Sequence, residues 1–235
     1  MSMGPEQRQR YLDAMGVQRW VLRDALTAAD ANGEPARQSV PAEAPAPDET
    51  AVAGWDELAE QVRTCTRCAE LAAGRTRTVF GVGDRQADWL FIGEAPGAEE
   101  DRRGEPFVGR AGQLLDSMLF ALGLNRGQGV YIANILKCRP PGNRDPRPEE
   151  SRACREYLDR QIGLIRPRVI VALGRVAAQN LLDTDEPLAR LRGRTLDYRD
   201  TPLVVTYHPA YLLRKPADKR KVWEDLRLAR RVMGV

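Results

Sequence analysis

The sequence is poor in histidine, in long apolar runs and in cysteine. His208 is the only histidine among 235 residues, so any chemistry that needs an imidazole rests on the stretch VVTYHPAYLL. That one ring can be core filler, a metal ligand or the centre of a reaction. No apolar run comes near the roughly 20 residues that cross a bilayer, and MSMGPEQRQR at the start lacks the apolar centre of a secretory signal. The expectation is a cytoplasmic chain without a membrane anchor, in a compartment where thiols stay reduced. Four cysteines in that setting are poor candidates for disulfides and better ones for metal or cluster ligands.

With 43% hydrophobic and 29% charged residues, the chain can be one large α/β domain, or a domain of about 180 residues with an appendage. Its net charge of +3 is unevenly spread. Residues 1–50 carry 5 arginines against 8 acids, which leaves 31 basic and 25 acidic groups for the rest. The surplus gathers in LKCRPPGNRDPRPEESRACR and RKPADKRKVWEDLRLARR. Such stretches either attract phosphate polyanions without specifying a sequence or form solvated helix faces.

Residues 1–28 read as a helix-prone appendage interrupted at Gly16, and residues 29–50, rich in Ala, Pro and acids with nothing to bury, as a flexible linker. Residues 51–235 form the main domain. There the apolar runs ADWLFIG, GVYIANIL, RVIVALG and TPLVVTYH alternate with amphipathic segments such as GQLLDSMLFALGL and RPEESRACREYLDRQIGLI. This pattern predicts an α/β fold of three layers, α/β/α, around a central, mostly parallel four-stranded sheet, because right-handed crossovers put helices on both faces. Ligands of such sheets collect at the carboxyl ends of the strands.

The candidate residues fall at those ends. DWLFI runs into GEAPGAEEDRRGEPFVGRAGQLLD, where Gly93, Pro96 and Gly97 give a sharp turn whose amides can face a ligand. Glu94, Glu99, Glu100 and Asp101 crowd negative charge there, which raises carboxyl pKa values or binds a cation; the plainer alternative is a loop that caps the next helix. Phe107 is either core or a stacking platform. Asn134 follows VYIA as a turn residue or, having both a donor and acceptors, as a partner for an imide edge. With His208 after LVVTY, a carboxylate, an amide, an imidazole and an aromatic ring would converge on one crevice suited to a small flat polar ring. Cys65 and Cys68 have the two-residue gap that grips one centre, while Cys138 and Cys154 bracket a proline-rich stretch. Four thiolates suit tetrahedral zinc or a [4Fe–4S] cluster and leave His208 free of ligand duty.

Taken together, GEAPGAEEDRRGEPFVGRAGQLLD, ANILKCRPPGNRDPRPEESRAC, VIVALGRVAAQNLL and VVTYHPAYLLR resemble the family 4 uracil-DNA glycosylases, the iron–sulfur branch of that superfamily, from about Leu58 to the end. The resemblance implies that Cys65, Cys68, Cys138 and Cys154 hold a structural [4Fe–4S] cluster, with zinc the lesser candidate. It implies no catalytic divalent metal. Uracil would be flipped out of single- or double-stranded DNA, its ring stacked on Phe107, its O4 and N3–H edge read by Asn134, and its O2 met by backbone around Ala95 and Pro96. The Gly97 to Glu100 stretch would crowd the thymine methyl. His208 would donate to O2 as the base departs, and Glu94 would position or deprotonate the attacking water, with Glu100 and Asp101 as alternatives for that task. Leu212 would be the minor-groove wedge.

A monomer that cleaves the N-glycosidic bond, leaves an abasic site and works beside the nucleoid is the implied product of this reading. Glu94 argues against the branch of the superfamily that cleaves without a carboxylate in this motif. With His208 the only histidine, the branch that crosslinks to the abasic sugar through a histidine in an inserted loop is also disfavoured. A non-catalytic iron–sulfur DNA-binding module would need only the charge, and a zinc-stabilised enzyme of nucleotide metabolism would not need YLLR or the basic tail.

Overall fold

The computed structural model describes residues 49–234, the first five as backbone only. The appendage expected at residues 1–28 and nearly all of the linker lie outside the described residues. The linker's last two residues already belong to helix α1, Glu49–Arg63. It is followed by α2 (Ala69–Gly74), β1 (Val82–Gly83), β2 (Trp89–Gly93), α3 (Ala98–Arg103), α4 (Arg110–Ala121) and β3 (Val130–Asn134). The second half holds α5 (Pro148–Ile165), β4 (Val169–Leu173), α6 (Arg175–Leu182), α7 (Leu188–Leu191), β5 (Thr195–Tyr198), β6 (Thr201–Thr206), α8 (Pro209–Arg214) and α9 (Lys219–Val232). Among the described residues, no helix is long and apolar enough to cross a membrane.

One sheet runs in the order β1-β3-β2-β4-β6-β5. The four strands expected from the apolar runs are its parallel centre, β3-β2-β4-β6, and two short antiparallel strands are added at the edges. Both additions escape a reading of pattern. β1 is two residues long, and β5 returns to β6 through Arg199 and Asp200, which adopt φ 49 and 67 without the Asn-Gly or Asp-Gly pair that marks such a turn.

Every residue of β2, β3 and β4 is buried, because successive side chains enter two different cores. Leu90, Ile92, Ala133, Ile170, Ala172 and Val205 pack toward Leu158, Ile162 and Ile165 of α5 and Ala177 and Leu181 of α6. Phe91, Ile132, Val171 and Val204 pack the other way, toward Leu115 and Leu119 of α4 and Val222 and Leu226 of α9. These strands therefore read as continuous apolar runs, as a sheet covered on both faces requires. A third, smaller core joins Leu58 and Val62 of α1, Leu71 of α2, Leu136 and Tyr157 to the four cysteines.

Candidate active site

The parallel strands end together. Glu94 follows the last residue of β2, Asn134 is the last residue of β3 and lies in register with Gly93, and His208 comes two residues after β6. Their side chains, with Ala95, Pro96 and Phe107, line one cleft of about 490 Å³. All six cleft residues expected from the sequence are thus brought to one place.

Glycine makes the closeness possible. A Cβ on Gly93 would lie 2.4 Å from Asn134 Oδ1 and 2.6 Å from Phe107 Cζ, so the floor of the cleft has no room for any other residue. A Cβ on Gly112 would meet the Phe107 carbonyl oxygen at 1.7 Å. Phe107 itself is held at φ 56, in the left-handed region that a bulky residue enters only when its surroundings enforce it. Arg126 supplies that enforcement, donating to the carbonyls of Pro106 (2.9 Å) and Phe107 while bonded to Asp116 at 2.6 Å. The ring is buried with its centroid 5.4 Å from that of His208. Nothing in the local sequence signals Arg126, which acts from nearly twenty residues away.

His208 caps α8 by accepting a hydrogen bond at Nδ1 from the Ala210 amide, 3.1 Å away. A backbone amide can only donate, so Nδ1 carries no proton and the neutral ring holds its hydrogen on Nε2. Burial, aided by the Arg214 charge, lowers the pKa to about 4 against a weaker opposing pull from Glu100. The ring is a neutral donor at physiological pH. Asn134 is 2% exposed, and its Oδ1 is the one buried side-chain polar atom without a partner among the described residues. An orphaned buried acceptor costs about 1–3 kcal/mol unless something else completes it.

The carboxylates sort themselves by partner. Glu100 accepts from the amides of Val108 and Gly109, both at 3.0 Å, which ties it to the start of α4. Buried Asp101 accepts from the Thr76 and Arg77 amides. Asp101 is thus held by backbone and does not line the cleft, whereas Glu100 lines it and is held through Oε1 alone. Glu94 has no side-chain hydrogen bond among the described residues, and burial raises its pKa to about 7, with Asp145 adding to the rise and Arg175 opposing it. Those two are themselves paired at 2.6 Å.

The wedge assignment needs correction. Leu212 is 1% exposed and packs into the core beneath α4 and β6, because α8 is a short amphipathic helix rather than an open loop. Its neighbour Leu213 is the exposed leucine, at 38%, between Tyr211 and Arg214 of α8, which line the cleft.

Beside the cleft lies the cysteine corner. Cys138 and Cys154 are buried and Cys65 and Cys68 half-buried around the third core. Donors already point at sulfur: Arg75 Nη1 stands 3.1 Å from Cys138 Sγ and the Lys137 amide 3.3 Å from Cys154 Sγ. Burial pushes the Cys154 thiol up to about 11, with Lys137 pulling it back. Among the described residues no three His, Cys, Asp or Glu side chains converge tightly enough to hold a single ion. The basic loop that follows Cys138 is less free than its charge suggests. Arg144 bonds Glu150 (2.6 and 2.9 Å) and Glu70 (3.3 Å), and Arg147 bonds Glu70 (2.6 Å), stapling the loop to α2.

A family model described as the uracil DNA glycosylase superfamily matches residues 80–227, the span that carries the sheet and every cleft residue. The chain belongs to the uracil DNA glycosylase superfamily. Within it, curated type-4 enzymes are similar to the chain over about three quarters of its length. It is 44% identical to the type-4 uracil-DNA glycosylase of Archaeoglobus fulgidus over 180 residues, 73% of this chain and 89% of that protein. The type-4 enzyme of Thermotoga maritima is also 44% identical, over 74% of this chain and 91% of its own length. That of Pyrobaculum aerophilum is 43% identical over 72% and 90%. The matched span is the three-layer fold described above, a mostly parallel sheet flanked by helices.

Proposed function

We infer that this chain is a DNA-repair hydrolase that excises uracil from DNA, as the names of its relatives state for them. The observation that carries the residue assignments is the orphaned Oδ1 of Asn134 beside a neutral histidine donor and under a buried phenylalanine. Uracil offers a donor at N3 and acceptors at O4 and O2. Its N3–H completes Asn134 Oδ1, its O4 takes the Asn134 amide hydrogens, and its O2 faces His208 Nε2–H. Cytosine presents an acceptor at N3 and an amino group at position 4, so the same edge meets two mismatches. A site that buries polar groups rejects such a base far more strongly than an apolar pocket could. Phe107 stacks on the flipped ring, and Glu100, locked beside Gly97, forms the wall that a thymine methyl would strike.

Water attacks C1′, the C1′–N1 bond breaks, and its electron pair leaves with uracil as an anion. His208 stabilises the charge growing on O2 without moving a proton, the kind of preorganised donor worth about 10²–10³ in rate. Glu94, unpartnered and of raised pKa, takes the proton of the attacking water and stabilises the cationic sugar. Leu213, rather than Leu212, fills the gap left in the duplex. DNA is the partner, single- or double-stranded, and one copy of the chain suffices, in the cytoplasm at the nucleoid.

The four cysteines, gathered around one small core, can supply the four thiolates that a [4Fe–4S] cluster or a zinc ion takes, and the likeness to type-4 enzymes favours the cluster. The donors on Cys138 and Cys154 suit sulfurs that carry charge. Cys65 after α1, Cys68 at the start of α2, Cys138 before the basic loop and Cys154 on α5 would hold the cluster, which would crosslink these segments.

An oligonucleotide with one uracil, incubated with protein and then cleaved by alkali at abasic sites, tests the assignment. Wild type produces scission that EDTA does not suppress. Scission at wild-type rate by both Asn134→Ala and His208→Ala would show the pocket residues to be misassigned.

A further inference from the structure

Lys137 is 1% exposed, and among the described residues no carboxylate pairs with it. A buried ammonium costs several kcal/mol unless its hydrogens are bonded, and an apolar side chain would fill the same space without that cost. Its bonds are therefore informative. Lys137 Nζ donates to the Asn134 carbonyl at 2.9 Å and to Gln161 Oε1 at 2.6 Å. Gln161, wholly buried on α5, donates its own amide hydrogen to the Phe80 carbonyl at 3.0 Å, which fixes its Oε1 toward the lysine.

The anchored carbonyl sits where the sheet is thinnest. β1 pairs with β3 only at Tyr131 and Ile132, so Asn134 has no strand partner on that side. The clearance around the Asn134 amide is also small, as the 2.4 Å separating its Oδ1 from a virtual Cβ on Gly93 indicates. A backbone displacement of a few tenths of an ångström would misdirect the orphaned acceptor.

We propose that Lys137, held by Gln161, is a positioning residue that fixes the end of β3 so that Asn134 meets the uracil edge without reorganising. The proposal rests on Asn134 being the residue that reads uracil. Because the Lys137 amide also donates to Cys154, one buried lysine ties the reading edge to the cysteine corner.

A double-mutant cycle tests it. Single-turnover cleavage, oligonucleotide Kd and inhibition by free uracil are measured for Lys137→Met, Gln161→Leu, Asn134→Ala and the two doubles with Asn134→Ala. Lys137→Met and Gln161→Leu each slow cleavage about 10- to 100-fold, the range for a lost hydrogen bond to a charged group, and weaken uracil inhibition by a similar factor. Oligonucleotide Kd moves less than about twofold, and neither substitution slows Asn134→Ala further. Gln161→Glu keeps an acceptor against the ammonium but loses the donor to the Phe80 carbonyl, and restores part of the rate lost in Gln161→Leu.

Effects that multiply with that of Asn134→Ala would overturn the proposal, as would an unchanged inhibition constant for uracil. So would loss of the broad absorption near about 400 nm in Gln161→Leu, since that would place its effect in the cysteine corner. If Lys137→Met does not fold, Gln161→Leu carries the cycle alone. Wild-type cleavage by Asn134→Ala would instead remove the reading of Asn134, a result distinct from a failed cycle.

Discussion

The cleft and the cysteine corner are neighbours, yet they treat buried polar groups in opposite ways. In the corner, Cys138 and Cys154 already receive donors, Glu150 holds Arg144 and the Arg147 amide, and Glu70 binds two arginines. In the cleft, among the described residues, Asn134 Oδ1, the Glu94 carboxylate and His208 Nε2 have no hydrogen-bond partner, although His208 Nδ1 is satisfied. Groups that hold the fold are completed from within. The groups left incomplete carry a local stability cost, and in the proposed function uracil completes them.

Substitutions should separate the two regions, and the largest effect belongs to the cleft. His208→Ala and Asn134→Ala are each expected to lower the single-turnover rate on the order of 10²–10³-fold, measured by alkali cleavage of a uracil oligonucleotide. Asn134→Ala should not lower Tm by more than about 2 °C, because its side chain makes no hydrogen bond among the described residues, whereas His208→Ala also removes the cap of α8 and should lower Tm by about 2–4 °C. A large drop in Tm with little change in rate would erase the distinction. In the corner the pattern reverses. With the proposed cluster bound, Cys154→Ser is expected to remove its visible absorption and to lower stability by about 3 kcal/mol or more, read from chemical denaturation, since a bound cluster would contribute directly to folding.

The cleft was the more legible of the two in sequence. Glu94, Asn134 and His208 were visible because each ends a strand, and strand ends follow from apolar runs. Gly93 was visible as a turn, although its deeper role is to let Asn134 and Phe107 close over it. What holds these residues was hidden, because Arg126, Lys137 and Gln161 act through partners 3 to 81 positions away and look like ordinary charged or polar residues of their own segments. Leu212 and Leu213 could not be told apart until α8 was seen to be a helix, whose phase decides which of two adjacent leucines faces the core. The basic loop was visible as charge but not as a stapled element, since charge says nothing of Glu70 and Glu150 being there to meet it.

Acidity gives a finer cut through the cleft. With Glu94 titrating near pH 7 and required as the carboxylate, the cleavage rate should rise about tenfold per pH unit below 7 and level off above it. His208, neutral down to about pH 4, should add no falling limb between pH 5 and 9. Stability runs the other way. The raised pKa of Glu94 favours the folded state fully below about pH 4.5, and that contribution is lost as pH rises through 7. Glu94→Gln should therefore be slow but stabilised relative to wild type, by about 1–2 kcal/mol at pH 8.5 after screening, with the gain vanishing near pH 4.5. Denaturation at the two pH values checks this, and an equal difference at both would mean that Glu94 is not held against its charge.

The smallest effect tests how sharply the boundary between structure and function is drawn. Leu212 and Leu213 are chemically identical and adjacent, but one is in the core and the other is exposed, next to Arg214 of the cleft lining. Leu212→Ala removes a fully buried side chain and should cost about 2–5 kcal/mol of stability. Leu213→Ala should leave Tm within about 1 °C, because little apolar surface is lost from the interior. Its effect should appear only where a base must be held out of a stack: about a three- to tenfold slower cleavage of duplex substrate, and little change on single strands, where there is no gap to fill. Equal slowing on both substrates would assign Leu213 to general contact with DNA. A duplex-selective loss in Leu212→Ala, with stability intact, would return the wedge to Leu212 and mean that α8 turns outward when DNA is bound.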